Sequence, residues 1–115
     1  MANTFKTITK ANVTSADVIY TVAGSTTTVL LGILLGNTTS SAITATVSLG
    51  SDTANRAGNN DEANQTVELI TSTTIPGNSS LELLAGNKVV METTDTLSVT
   101  GSGSTDVILS IMEIT

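Results

Sequence analysis

Cysteine, histidine and tryptophan are absent from the 115 residues, and Tyr20 and Phe5 are the only tyrosine and phenylalanine. Without cysteine the chain can form no disulfide and presents no thiolate, so it carries no mark of its redox compartment. Without histidine it lacks the commonest general base and the commonest protein metal ligand together. Basic residues are scarce as well. Lys6, Lys10, Arg56 and Lys88 are scattered, and the net charge is −6. That balance opposes a nucleic-acid partner, whose phosphates require clustered Lys and Arg. Charged residues make up 12% of the chain, about half the usual share. So few charges with so much threonine and serine fits a domain whose surface is partly covered by copies of itself or by a partner, with the acidic excess keeping it soluble. The opening Met1-Ala2-Asn3-Thr4-Phe5-Lys6 lacks the apolar core of a signal peptide, so the chain is expected to stay where it is made.

The segment that organises the rest is Thr27-Thr28-Val29-Leu30-Leu31-Gly32-Ile33-Leu34-Leu35-Gly36. Its apolar part is far short of the roughly 20 residues that span a bilayer, so no membrane is implied. A half-exposed strand alternates apolar and polar residues, and this one does not. It reads as a central strand with both faces covered, one by a second sheet and the other by a subunit or long loop. Gly32 marks a place where another backbone comes close.

The remaining pattern is β throughout. Thr4–Thr9 is a short polar strand with Phe5 as an anchor for the chain end, and Asp17–Val22 is a β-branched strand. Ile43, Ala45, Val47 and Leu49 alternate with Thr44, Thr46 and Ser48, which places one face inward and a hydroxyl-lined face outward. Asn37–Ser41 has hairpin length, so Thr27–Leu35 and Ala42–Leu49 are expected to pair as a hairpin. Strands follow at Thr66–Thr71, Ser80–Leu84, Lys88–Glu92, Thr96–Thr100 and Val107–Ile114. Pro76-Gly77 suits the centre of a type II turn, and Gly101–Ser104 reads as a flexible tip. In the last strand Val107, Leu109, Ile111 and Glu113 share one face. Eight or nine strands, with turns every 8–12 residues or so, predict one domain over residues 1–115: an all-β, antiparallel two-sheet sandwich, jelly-roll-like.

Chemistry is sparse. Gly50–Gln65 is a long run of loop formers, and loops of that length are usually functional or mobile. Within it Asn59, Asn60, Asp61 and Glu62 form the one dense group of oxygen ligands. Their consecutive order lacks the spaced ligands of a calcium loop, so they read as solvated turn residues. Carboxylates for acid–base work would come from Asp17, Asp52, Asp61, Glu62, Glu68, Glu82, Glu92, Asp95, Asp106 and Glu113, mostly in turns or on outward strand positions. No serine or threonine has a base beside it in a recognisable motif. The glycosylation patterns at Asn12, Asn37, Asn64 and Asn78 follow from an Asn- and Thr-rich composition. No catalytic, cofactor-binding or metal-binding residue is therefore assigned, no cofactor is expected, and the chain does not read as an enzyme.

Several segments resemble small virion structural proteins of tailed bacteriophages, those of marine cyanobacterial phages most closely. They are Met1–Lys6, Val18–Val22 followed by Thr26–Gly32, Ile75–Leu84 with its I-P-x-x-S-S-L-x-x-L pattern, Gly86–Glu92 and Met112–Thr115. The resemblance spans nearly everything except Gly50–Gln65. It consists of turn and strand signatures, so it carries no site residues across. It implies a capsid decoration or cement protein located on the virion and assembled in the host cytoplasm. Its partners would be its own copies, a trimer among the arrangements, and a major capsid or other virion protein. A tail, neck or baseplate component is the alternative, as is a module binding host glycans, though sugar sites usually present aromatic faces that this chain has few of.

Overall fold

The computed structural model describes residues 2–51 and 65–115. These form nine strands: β1 (Asn3–Val13), β2 (Ala16–Thr21), β3 (Thr27–Asn37), β4 (Ile43–Gly50), β5 (Thr66–Ile75), β6 (Ser80–Leu83), β7 (Val89–Met91), β8 (Thr96–Gly101) and β9 (Thr105–Ile114). One sheet has the order β1-β9-β3-β6, with β7 also on β3; the other runs β2-β8-β4-β5. All pairings are antiparallel.

The pairs are nested. β1 pairs with β9, β2 with β8, β3 with β6 and β7, and β4 with β5. The chain thus forms one long antiparallel ribbon doubled back between β4 and β5. Rolling that ribbon brings β9 onto β3 and β8 onto β4 and closes two sheets over one core, which is the jelly-roll arrangement. β6 and β7 act as one interrupted edge strand, broken where Leu84 and Gly86 turn to positive φ (71° and 92°).

The core lies between the sheets and follows the period of two. Leu30, Ile33 and Leu35 of β3, Val47 of β4, Leu97 and Val99 of β8, and Leu109 and Ile111 of β9 are fully buried. Burial of this kind stabilises by about 25 cal/mol per Å² of apolar area removed from water. Polar residues are built into it as well, Asn37 among them. Asn37 is buried, and its side-chain amide donates to the carbonyls of Ile75 (2.9 Å), Ser41 (2.8 Å) and Pro76 (3.1 Å). It fastens the end of β3 to the β5–β6 turn.

Several expectations are corrected here. β3 and β4 do not form a hairpin: they lie in different sheets, because residues 38–42 turn a corner between layers instead of doubling back within one. Among the described residues, no second layer of this chain covers the outer face of β3. A bulge between Leu30 and Gly32 resets the alternation, leaving Leu34 exposed and Val29 and Leu31 half-buried on the outside. Among the described residues nothing lies within 4 Å of where a Gly32 Cβ would stand, so none of their backbone approaches there. Phe5 is 72% exposed and anchors nothing in the core. In the Pro76 turn it is Asn78 that takes positive φ (57°), so Gly77 and Asn78 form the centre, closed by Ser79 N–H to the Pro76 carbonyl. Gly77 is required for space, since a Cβ there would collide with the Ser40 carbonyl oxygen. The Gly101–Ser104 segment is stitched down: Ser102 exchanges hydrogen bonds with Thr44, and the Ser104 carbonyl accepts from Thr38.

Candidate functional site

The two outer faces of the sandwich differ in chemistry. On the β1-β9-β3-β7 sheet the register lines up Phe5, Met112, Val29 and Val90 in one cross-strand row. A second row holds Thr9, Ile108, Leu34 and Glu82. Between them Thr7, Ser110 and Gly32 form a polar, small-residue row. Phe5, Leu34, Val90 and Ile108 are exposed. Two shallow depressions meet at Ser110. One, of about 300 Å³, is lined by Gly32, Leu34, Glu82 and Ile108, and the other, of about 260 Å³, by Phe5, Lys6, Thr7 and Leu31.

The β2-β8-β4-β5 sheet faces outward with hydroxyls. Its rows are Val18, Ser98, Ser48 and Glu68, then Thr100 and Thr46, then Thr21, Thr96, Gly50 and Thr66. The expected hydroxyl face of β4 is present and continues across β8.

The two long sides also differ. Where β1 and β2 close one side, the sheets are tied by a polar chain. Tyr20 of β2 is buried; its hydroxyl donates to Glu113 Oε2 (2.5 Å) and lies 2.8 Å from Thr28 Oγ1. Glu113 in turn holds Lys6 Nζ at 2.6 Å. Burial, reinforced by the Glu113 carboxylate, pushes the Tyr20 phenol up to about 12. Lys6, and then the Tyr20 hydroxyl, hold the Glu113 carboxyl below its ordinary value. Lys10 and Asp17 add a looser pair at 3.8 Å. On the opposite side β5 and the interrupted β6–β7 strand flank an apolar groove of about 460 Å³, lined by Leu69, Ile70, Leu81, Leu83, Leu84 and Val89.

The carboxylates singled out in the sequence are dispersed. Asp17 pairs with Lys10, Glu68 accepts from Thr71, Asp106 accepts the Asn12 N–H, and Asp95 is buried, accepting the Glu92 N–H within its own turn. Glu113 shares the face of Val107, Leu109 and Ile111, as the alternation of the last strand predicts, and from there its contacts with Tyr20 and Lys6 join both sheets. Among the described residues no group of three or more acidic, histidine or cysteine side chains could hold a metal. Asp52, Asn59, Asn60, Asp61 and Glu62 lie outside the described residues, and with them the calcium-loop question. Asn37, in one of the four glycosylation patterns, is buried in hydrogen bonds to backbone.

The fold defines a class: a two-sheet antiparallel β-sandwich of jelly-roll order, whose distinguishing surface is an apolar outer face. No family model and no curated protein matches the chain. Among solved structures it is similar to one from Bacillus endospore appendages, described as a novel family of disulfide-linked pili. The TM-score is 0.52 at 17% identity, over 99% of this chain and 87% of that one. Likeness at that identity shows the fold alone.

Proposed function

We propose that this chain is a non-enzymatic structural subunit that acts by packing against its own copies. The observation that carries the reading is the apolar outer face of the β1-β9-β3-β7 sheet, where Phe5, Val90, Ile108 and Leu34 stand in water in the single chain. An apolar patch held together by strand register is the usual mark of a contact surface. The order of chemistry is consistent with it: the core is complete without this face, so its apolar residues are not needed for folding. Repetition of modest contacts over many copies multiplies their effect.

Support for self-association also comes from the structural neighbour, a subunit of pili. The disulfide linkage named for that protein has no counterpart in these 115 residues, which contain no cysteine; association here would rest on apolar contact. Two assemblies are compatible with such a subunit. The pilin likeness favours an open fibre, whereas the segment resemblance to phage virion proteins favours a decoration protein on a capsid. The glycan-binding alternative is weakened by the burial of Tyr20, which leaves Phe5 as the exposed ring.

Sedimentation and light scattering over a concentration series test the reading, with electron microscopy of the associated fraction. Concentration-dependent multimers are expected, suppressed by Val29→Lys. A monomer persisting to about 1 mM would overturn it, since association weaker than that is worth less than about 4 kcal/mol.

A further inference from the structure

We infer that β1 is an exchangeable strand: residues 3–11 of one copy leave β9 and take the same place on β9 of a second copy. This rests on the self-association proposed above and names the segment that passes between copies.

The first ground is how little holds β1 by its side chains. Of its eleven residues only Val13 is buried and only Ile8 is partly so. By contrast β9, its one backbone partner among the described residues, buries every second residue from Thr105 to Ile111. The backbone ladder from Asn3↔Ile114 to Lys10↔Val107 is the main bond, and a second copy reproduces it without loss. A strand held mainly by an exposed backbone ladder opens at lower free energy than one rooted in the core. When both states make the same contacts, exchange costs little at equilibrium.

The second ground is the hinge. β1 and β2 belong to different sheets, and only Thr14 and Ser15 connect them. Just before that corner the ladder is irregular between Lys10 and Val13, and Asn12 sits at φ 58°. Short hinges of this kind favour exchange between copies, because opening relieves them. Val13 stays fixed in the core, so the Thr14–Ser15 corner does not move; the arm of residues 3–11 pivots at the irregular stretch around Asn12. The arm is pinned by few polar contacts: Lys6 to Glu113, Lys10 to Asp17, Asn12 N–H to Asp106, and the Ser104 hydroxyl to Asn12 Oδ1. Its departure uncovers an unpaired β9 edge, which templates a replacement strand.

The native sequence has no cysteine, so one engineered thiol pair reports the location of β1 without interference. Thr7 and Ser110 are register partners and both exposed, and facing antiparallel residues lie within disulfide range. The full chain carrying Thr7→Cys and Ser110→Cys is concentrated under reductant, then oxidised, and run on a non-reducing denaturing gel. Covalent dimers or ladders are expected. Oxidation at high dilution should instead close the arm within each monomer and weaken later association at least tenfold, with reductant restoring it. Thr9→Cys with Ile108→Cys, at the next outward register position, replaces this pair should it fold poorly. Glu113→Gln, which removes the charge gripping Lys6, should speed subunit mixing between two labelled populations severalfold. Associated protein that oxidises only to closed monomers, or associates equally well when locked, overturns β1 exchange and leaves self-association standing. Failure of the reduced protein to associate at any concentration overturns both.

Discussion

The two outer faces of the sandwich are both built from antiparallel strands, yet one is largely apolar and the other is lined mainly with hydroxyls. Both sheets point alternate residues at the same core, so folding demands the same thing of each inward position. It makes no such demand of the outward ones. Across β4 and β8 those positions are Thr44, Thr46, Ser48, Thr96, Ser98 and Thr100, residues that suit a pleated surface in water. Across β9 and β3 they are Ile108, Met112, Val29, Leu31 and Leu34, with Ser110 alone intervening on β9. The difference separates what the fold needs from what the surface adds, and most of the surface excess lies on one face, the other sheet exposing Val18 and Val67 at its edges.

Neighbouring residues of β3 offer the sharpest separation. Leu30 is fully buried, while Val29 faces outward. Leu30→Ala should cost about 2–5 kcal/mol through lost transfer energy and the cavity left behind. Val29→Ala should cost under about 1 kcal/mol, as expected of a half-exposed site. Denaturant midpoints of the two variants check this. Equal losses would mean that the outer face belongs to the fold, and the contrast between faces would lose its meaning.

A charge placed on each face tests the surface term directly. Val29→Lys should weaken self-association about a hundredfold, or roughly 2.7 kcal/mol, because the ammonium would have to be buried unpaired against apolar neighbours. Ser48→Lys, in the middle of the hydroxyl face, should leave association unchanged. Sedimentation equilibrium reads both. Equal weakening would point to general charge repulsion instead of a specific face.

Beneath the faces, Glu113 couples the sheets, and its carboxyl is held below the ordinary value. A depressed carboxyl contributes stability above its unfolded value and loses it as pH falls through the folded one. Unfolding should therefore become easier on acidification below about pH 4.5, an effect moderated by solvent screening of the half-exposed Lys6. Glu113→Gln should remove that acid-dependent part. Tyr20 acts at the other extreme. With its phenol raised to about 12, its contribution is complete below pH 10 and declines as pH climbs towards 12. Urea midpoints across both windows measure the two effects.

The strands were legible in the sequence because β-branched residues and turn formers mark them locally, and β4 showed its two faces in full. The layer assignment was not. Asn37–Ser41 has the length and composition of a hairpin, and only the packing of Gly77 against Ser40 and the Asn37 amide at the β5–β6 turn shows that it turns between sheets. The apolar run of β3, interrupted by Gly32, reads as a strand covered on both faces, because local pattern cannot tell a core from a contact surface. Among the described residues its inward face alone is covered. The Tyr20–Glu113–Lys6 chain was invisible because its members are 93 and 107 residues apart, and no local pattern announces a contact at that range.

The finest adjustment concerns Ser110, the one exposed polar side chain that β9 places between the apolar rows. Its register neighbours Thr7 and Gly32 keep the rows headed by Phe5 and Ile108 apart. Ser110→Val should join them into one patch. Valine favours a strand position as well as serine or better, so stability should hold or rise slightly. Association should tighten about threefold, or roughly 0.65 kcal/mol, near the value of one added methylene group. Ser98→Val makes the same chemical change at an outward position of β8 and should alter stability similarly without altering association. If the two substitutions tighten association alike, hydrophobicity anywhere on the surface suffices, and the apolar face has no privileged role. If only the β9 variant does, the register that aligns Phe5 with Met112, Val29 and Val90 is what defines the contact.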